Sequence, residues 1–81
     1  VLPPPPPDQA YLDQQRRDTG RRIRQARRSQ RLTQEGLAER SGLHRKTVSK
    51  AELGEAGLTH DHLVRIAHGL GLPVWRLFWD E

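Results

Sequence analysis

Residues 33–54, TQEGLAERSGLHRKTVSKAELG, decide the fold. Thr33 has the side chain of a helix N-cap, and Ser41-Gly42 stops the helix it opens. A second helix is predicted over residues 44–53, closed by Gly54 where a left-handed residue is wanted. Between the two, Gly42 permits a sharp turn that a Cβ would strain. Ala38 is small enough for the second helix to approach, and Leu37, Leu43, Val48 and Ala51 are placed to fill the joint. The spacing predicts two short helices crossing closely about a tight turn.

The second helix has two unlike faces. At 100° per residue, Arg45, Lys46, Ser49 and Lys50 fall within about 140° of arc, while Val48 and Ala51 point the other way. Arginine and lysine donate to guanine O6 and N7, and serine can bond several base edges, so these four are the candidate base readers. The stretch resembles the Cro/cI-type (XRE) helix-turn-helix, and residues 63–78, LVRIAHGLGLPVWRLF, resemble that family's two closing helices. The likeness spans about residues 19–78. It implies that the helix at 44–53 enters the major groove of double-stranded DNA. It further implies that Gln34, in the first turn of the preceding helix, contacts the DNA backbone, and that Arg27 pairs structurally with Glu52. Thr47 and His44 are weaker phosphate candidates. The chain departs from the family pattern at Ala51, usually bulkier, and at Leu53, usually polar. Leu53 is expected to pack on the following loop, and Gly36 weakens the middle of the first motif helix.

N-terminal to this unit, Arg16, Arg17, Arg21, Arg22, Arg24, Arg27, Arg28 and Arg31 crowd one stretch in which Asp18 is the sole acid. Such a run seeks polyanions, and Arg21, Arg22 and Arg24 are candidate phosphate partners that add affinity without sequence information. Asp8 is placed to cap a helix reaching about Thr19. Thr19-Gly20 then reads either as a break with a second cap or as a bend in one long helix. Ile23, Ala26 and Leu32 supply a narrow apolar stripe. Pro3–Pro7 favour an extended polyproline II segment, read as a spacer. Residues 1–18 are therefore read as a proline-rich leader with a short helix, and residues 19–81 as the DNA-binding domain.

On the C-terminal side, Thr59 caps a helix in which Leu63, Ile66, Ala67 and Leu70 keep helical spacing, with Gly69 and Gly71 marking its end. Pro73 suits the first turn of a last helix, whose Val74, Leu77 and Phe78 would close the core. With no strand signal and no repeat, the fold class is all-α: a five-helix phage-repressor-like bundle, with or without an additional N-terminal helix.

Composition narrows the function. In 81 residues, 33% hydrophobic and 30% charged, the core is thin and a deep enzymatic pocket is not expected. No cysteine is present for a disulfide or thiolate zinc site. His60 and His62 stand two apart and point to different sides of a helix, so no metal and no cofactor are expected. No apolar run approaches a membrane span, which makes a cytoplasmic protein the expectation. Paired carboxylates, an activated nucleophile and a phosphate loop are all missing, so an enzyme is not expected. Trp75 and Trp79 lie one helical turn apart; burial of at least one in the core competes with a role as homodimer contacts. The resulting expectation is a repressor-like transcriptional regulator that binds duplex DNA sequence-specifically, probed against the alternative of a protein-interaction or antitoxin-like module on the same scaffold.

Overall fold

A computed structural model of the chain describes residues 1–79. Four α-helices and a terminal 3-10 turn follow one another: α1 (Gln9–Ser29), α2 (Gln34–Ser41), α3 (Arg45–Leu53), α4 (His60–Leu70) and the turn Val74–Leu77. The five-helix expectation is thus corrected to four, because the chain after Pro73 makes a single 3-10 turn instead of a fifth α-helix. No strand occurs among the described residues.

Local signals set most boundaries. Asp8 caps α1 by accepting from the Tyr11 amide at 2.8 Å, and Thr33 caps α2 by accepting from Gly36 at 2.9 Å. At α4, Thr59 and His62 make a reciprocal capping box, which gives His62 a local structural task. Gly42, Gly54 and Gly71 end α2, α3 and α4 at φ 67°, 75° and 71°. Arg31 takes the equivalent left-handed position after α1 despite its side chain, with φ 57°.

Of the two readings of Thr19-Gly20, the break with a second cap fails and the single long helix stands, for α1 runs unbroken through both for 21 residues. Gly20 is buried, and its place is explained by packing. A Cβ there would lie 2.5 Å from the carbonyl oxygens of both Ala51 and Glu52, so the absence of a side chain lets α1 lie directly on the end of α3. Gly54 extends the same contact, its pro-Cβ direction meeting the Arg17 backbone at 2.9 Å. Gly69, buried inside α4, admits Ser41 and Leu37 of α2 in the same way.

The core comprises Ile23, Leu37, Ala38, Val48, Ala51, Ile66, Ala67, Leu70 and Leu77, with Ala26, Leu43, Leu58, Leu63, Leu72 and Val74 packed against it. Leu77 is fully buried, but Phe78 is 47% exposed and does not close the core as its apolar character suggested. The 3-10 turn directs Leu77 inward and leaves its neighbours outside. Trp75 and Trp79 are also exposed, so neither serves as core packing.

Gly20→Ala is expected to destabilise the fold by about 1–3 kcal/mol, because the clash is with backbone and cannot be relieved by a rotamer change. In Gly71→Ala the new Cβ meets nothing within 4 Å and only the left-handed backbone is strained, costing about 1 kcal/mol. Thermal melts of the two variants check the order, and a harmless Gly20→Ala would contradict the close crossing of α1 and α3.

Candidate nucleic-acid interface

α3 is held from behind and open in front. Val48 is fully buried, Ala51 and Glu52 nearly so, and they fix the helix against α1 and α2. Arg45, Lys46 and Lys50 are exposed and Ser49 is half-buried beside them. The four predicted readers therefore share one accessible side of a rigid helix. Arg45 lies 4.0 Å from Glu35 of α2 in a solvent-exposed pair, an interaction of little energetic weight. His44 is the N-cap residue of α3 but makes no side-chain cap bond. Thr47 is half-buried.

Behind this surface lies a polar cluster around the buried Glu52. Arg27 donates from Nε to Glu52 Oε2 at 2.6 Å and from Nη2 to Oε1 at 2.9 Å, a bidentate pair. Arg27 Nη1 also donates to the Leu32 carbonyl at 2.9 Å, in the link between α1 and α2. Gln34 Nε2 donates to Glu52 Oε1 at 3.3 Å, and Arg24 Nε stands 3.5 Å from the same oxygen. Gln34, the expected backbone-contact residue, thus has its amide turned toward Glu52 in this structure.

The electrostatics follow from those contacts. Burial pushes the Glu52 pKa up, but hydrogen bonds from Arg27 and Gln34 and the charges of Arg27 and Arg24 outweigh it and hold the carboxyl below its ordinary range. The hydrogen bond to Glu52 raises the Arg27 pKa despite desolvation.

The arginines of α1 divide by face. Arg17, Arg21, Arg24 and Arg28 follow i, i+4, i+7, i+11 spacing and share about 60° of arc, lining one groove with Glu52 and Leu53. Arg22, grouped with Arg21 and Arg24 on sequence, points elsewhere: it is half-buried and its Nη1 lies 3.5 Å from the Leu77 carbonyl. Arg16 ties the start of α1 to α3, donating from Nε to the Gly54 carbonyl at 3.2 Å. Sequence reasoning missed Arg17 and Arg28 as companions of Arg21 and Arg24. Their common face is legible only when α1 is drawn as one helix through Gly20.

Leu53 does not pack on its loop as expected. It is 59% exposed and continues the line of Lys46 and Lys50 at i+7 and i+3 toward the arginine groove. Trp75, Phe78 and Trp79 are each exposed, with the Arg76 guanidinium 5.6 Å from the Trp75 ring centroid. Among the described residues no group of three or more His, Cys, Asp or Glu could hold a metal, and no helix is long and apolar enough to cross a membrane.

A left-handed glycine turn between two short crossing helices, with a cationic face on the second, defines a helix-turn-helix protein. The HTH_3 helix-turn-helix model matches residues 23–74, and the chain belongs to this family, which corresponds to the XRE-type transcription regulators. Among solved structures it is similar to the restriction-modification controller protein C.AhdI from Aeromonas hydrophila, at 32% identity and TM-score 0.74 over 78% of this chain and 96% of that one. It is also similar to the hypothetical transcription factor NHTF from Neisseria, at 28% identity and TM-score 0.76 over 98% of this chain and 87% of that one. The clp gene regulator ClgR from Corynebacterium glutamicum is 27% identical, with TM-score 0.70 over 90% of this chain and 71% of that one. No curated protein is a match.

Arg27→Ala strands a buried carboxylate and is expected to cost about 3–5 kcal/mol of stability, read from denaturant unfolding. Because the folded pKa of Glu52 is depressed, its contribution is complete above the unfolded carboxylate value and disappears as pH falls through the folded one. Wild-type stability should therefore decline below about pH 5, and Glu52→Gln should flatten that acid limb while lowering stability near neutrality. An unchanged acid limb in Glu52→Gln would show that other carboxylates govern acid unfolding.

Proposed function

We propose that this protein is a sequence-specific, repressor-like transcriptional regulator that reads the major groove of duplex DNA with α3. The observation that carries the reading is the exposed Arg45, Lys46, Ser49 and Lys50 side of a helix whose opposite side is locked by Val48, Ala51 and Glu52. A rigid, cationic, helix-width surface suits the major groove, where lysine and arginine recognise guanine. Arg45, Lys46, Ser49 and Lys50 read bases. His44, Thr47, Gln34, Arg21 and Arg24 approach phosphates, with the Gln34 amide turning from Glu52 to do so. Arg22, held near Leu77, contributes to the long-range field. The DNA-binding domain expected over residues 19–81 extends along α1 into the 1–18 segment, since that helix starts at Gln9 and seats the Arg17 backbone on Gly54; residues 80 and 81 lie outside the described residues. Likeness to a controller protein and to a transcription factor supports regulation over an adaptor role.

Selection from a randomised duplex library, followed by anisotropy titration, tests the reading. A recovered site should bind about 10³-fold or more tighter than a scrambled duplex. Lys46→Ala and Lys50→Ala should each cost about 1–3 kcal/mol on that site and relax preference at one base position. Weak binding that is uniform across sequences and disappears with salt would overturn it.

Two half-sites one DNA turn apart call for a two-fold partner, and the exposed Trp75, Phe78 and Trp79 supply an apolar surface for a second copy. Trp79→Ala should shift sedimentation toward monomer at concentrations where wild type is dimeric. A wild-type monomer at high concentration would sink the dimer.

A further inference from the structure

We infer that the outer face of α1 is a second DNA-backbone site, gripping phosphates of the duplex that flanks the bases read by α3. The inference rests on the duplex-binding reading above and adds a place, a footprint and two residues to it. Arg17, Arg21, Arg24 and Arg28 line one side of α1 and share a groove with Leu53 at the end of α3. Leu53 in turn continues the exposed line of Lys46 and Lys50, so the arginine face is contiguous with the reading face and not a remote basic patch.

The arginines at the two ends of this row are poised for an anion. The Arg28 side chain is exposed and makes no hydrogen bond or ion pair among the described residues. Arg17 is exposed and donates to a neutral amide, Gln14 Oε1, at 2.9 Å. Arg24 approaches Glu52, but that carboxylate already accepts a bidentate arginine and Gln34, leaving the groove cationic. The face is also held in place. Gly20 seats α1 against the Ala51 and Glu52 carbonyls, and Gly54 seats the Arg17 backbone against the end of α3. A rigid helix that displays guanidiniums at fixed intervals matches a polyphosphate better than a mobile acidic peptide does, because the anions of a duplex are themselves regularly spaced.

Scale favours a flanking contact. From Arg17 to Arg28 the helix rises about 16 Å, which equals about five nucleotide steps of one strand. Arg17 and Arg21 also precede the segment matched by the family model, which starts at residue 23. The extended first half of α1 therefore adds binding surface to the shared helix-turn-helix unit.

The test compares two duplexes bearing the selected site, one trimmed to the bases that selection recovers and one extended by about ten base pairs of arbitrary sequence on each side. Wild type should bind the extended duplex about tenfold more tightly at low salt, with a steeper dependence of log K on log salt by about 2 per protein chain. Arg17→Gln/Arg28→Gln should lose that length advantage and the added slope, yet bind the trimmed duplex as wild type does. Arg17→Lys/Arg28→Lys, which keeps the charge, should retain most of both. Changing the flanking sequence should alter nothing, since phosphate contacts carry no base information. Equal wild-type affinity and slope for the two duplexes, with the scrambled control still rejected, would overturn the second site and leave the α3 reading intact. Failure to prefer the selected site over its scrambled control would instead overturn the α3 reading, and this inference with it.

Discussion

Glu52 is a carboxylate taken almost wholly out of water in a domain that has little core to spare. An unpaired charge there would be prohibitive, so the fold around it must supply donors. Arg27 meets it with two hydrogen bonds and spends a third on the Leu32 carbonyl, while Gln34 brings in the start of α2. One charged cluster thus joins α1, the connection to α2, α2 itself and α3. The pair fixes orientation as well as proximity, because a bidentate guanidinium–carboxylate contact tolerates little rotation.

Small residues set the distances that this pair requires. Gly20 lets the backbone of α1 touch the carbonyls of Ala51 and Glu52, and Gly69 performs the corresponding task between α4 and α2. These approaches have a functional consequence. Since α1 is pressed onto the end of α3 and passes it unbroken, its arginines are sorted by helical phase. Arg27 is turned inward to Glu52 and Arg22 toward Leu77, whereas Arg17, Arg21, Arg24 and Arg28 are left on a common outer side. A single basic run in the sequence therefore serves three physical tasks: a buried ion pair, a brace to the C-terminal segment and a cationic surface.

The apolar side chains left outside tell a complementary story. A 3-10 turn can bury one residue of its short span deeply, and Leu77 takes that place. Trp75, Phe78 and Trp79 remain at the surface, on a segment distinct from α3 and its cationic face.

The local signals of this protein were determined by its sequence because they act over one turn of chain. The caps Asp8, Thr33 and Thr59, the left-handed glycines at 42, 54 and 71, and the two faces of α3 all follow from side-chain chemistry and 3.6-residue periodicity. The residues proposed to read bases were legible on the same ground. Tertiary structure alone decided what Gly20 means. A glycine after a threonine reads locally as a helix end or as a bend within one helix, and only the carbonyls of Ala51 and Glu52, more than thirty residues away in the chain, show it to be a crossing point. It likewise decided that Phe78 and Leu53 stay exposed and that Arg17 and Arg28 stand with Arg21 and Arg24. Each of these outcomes depends on which surface another helix happens to cover, and the chain carries no local record of that.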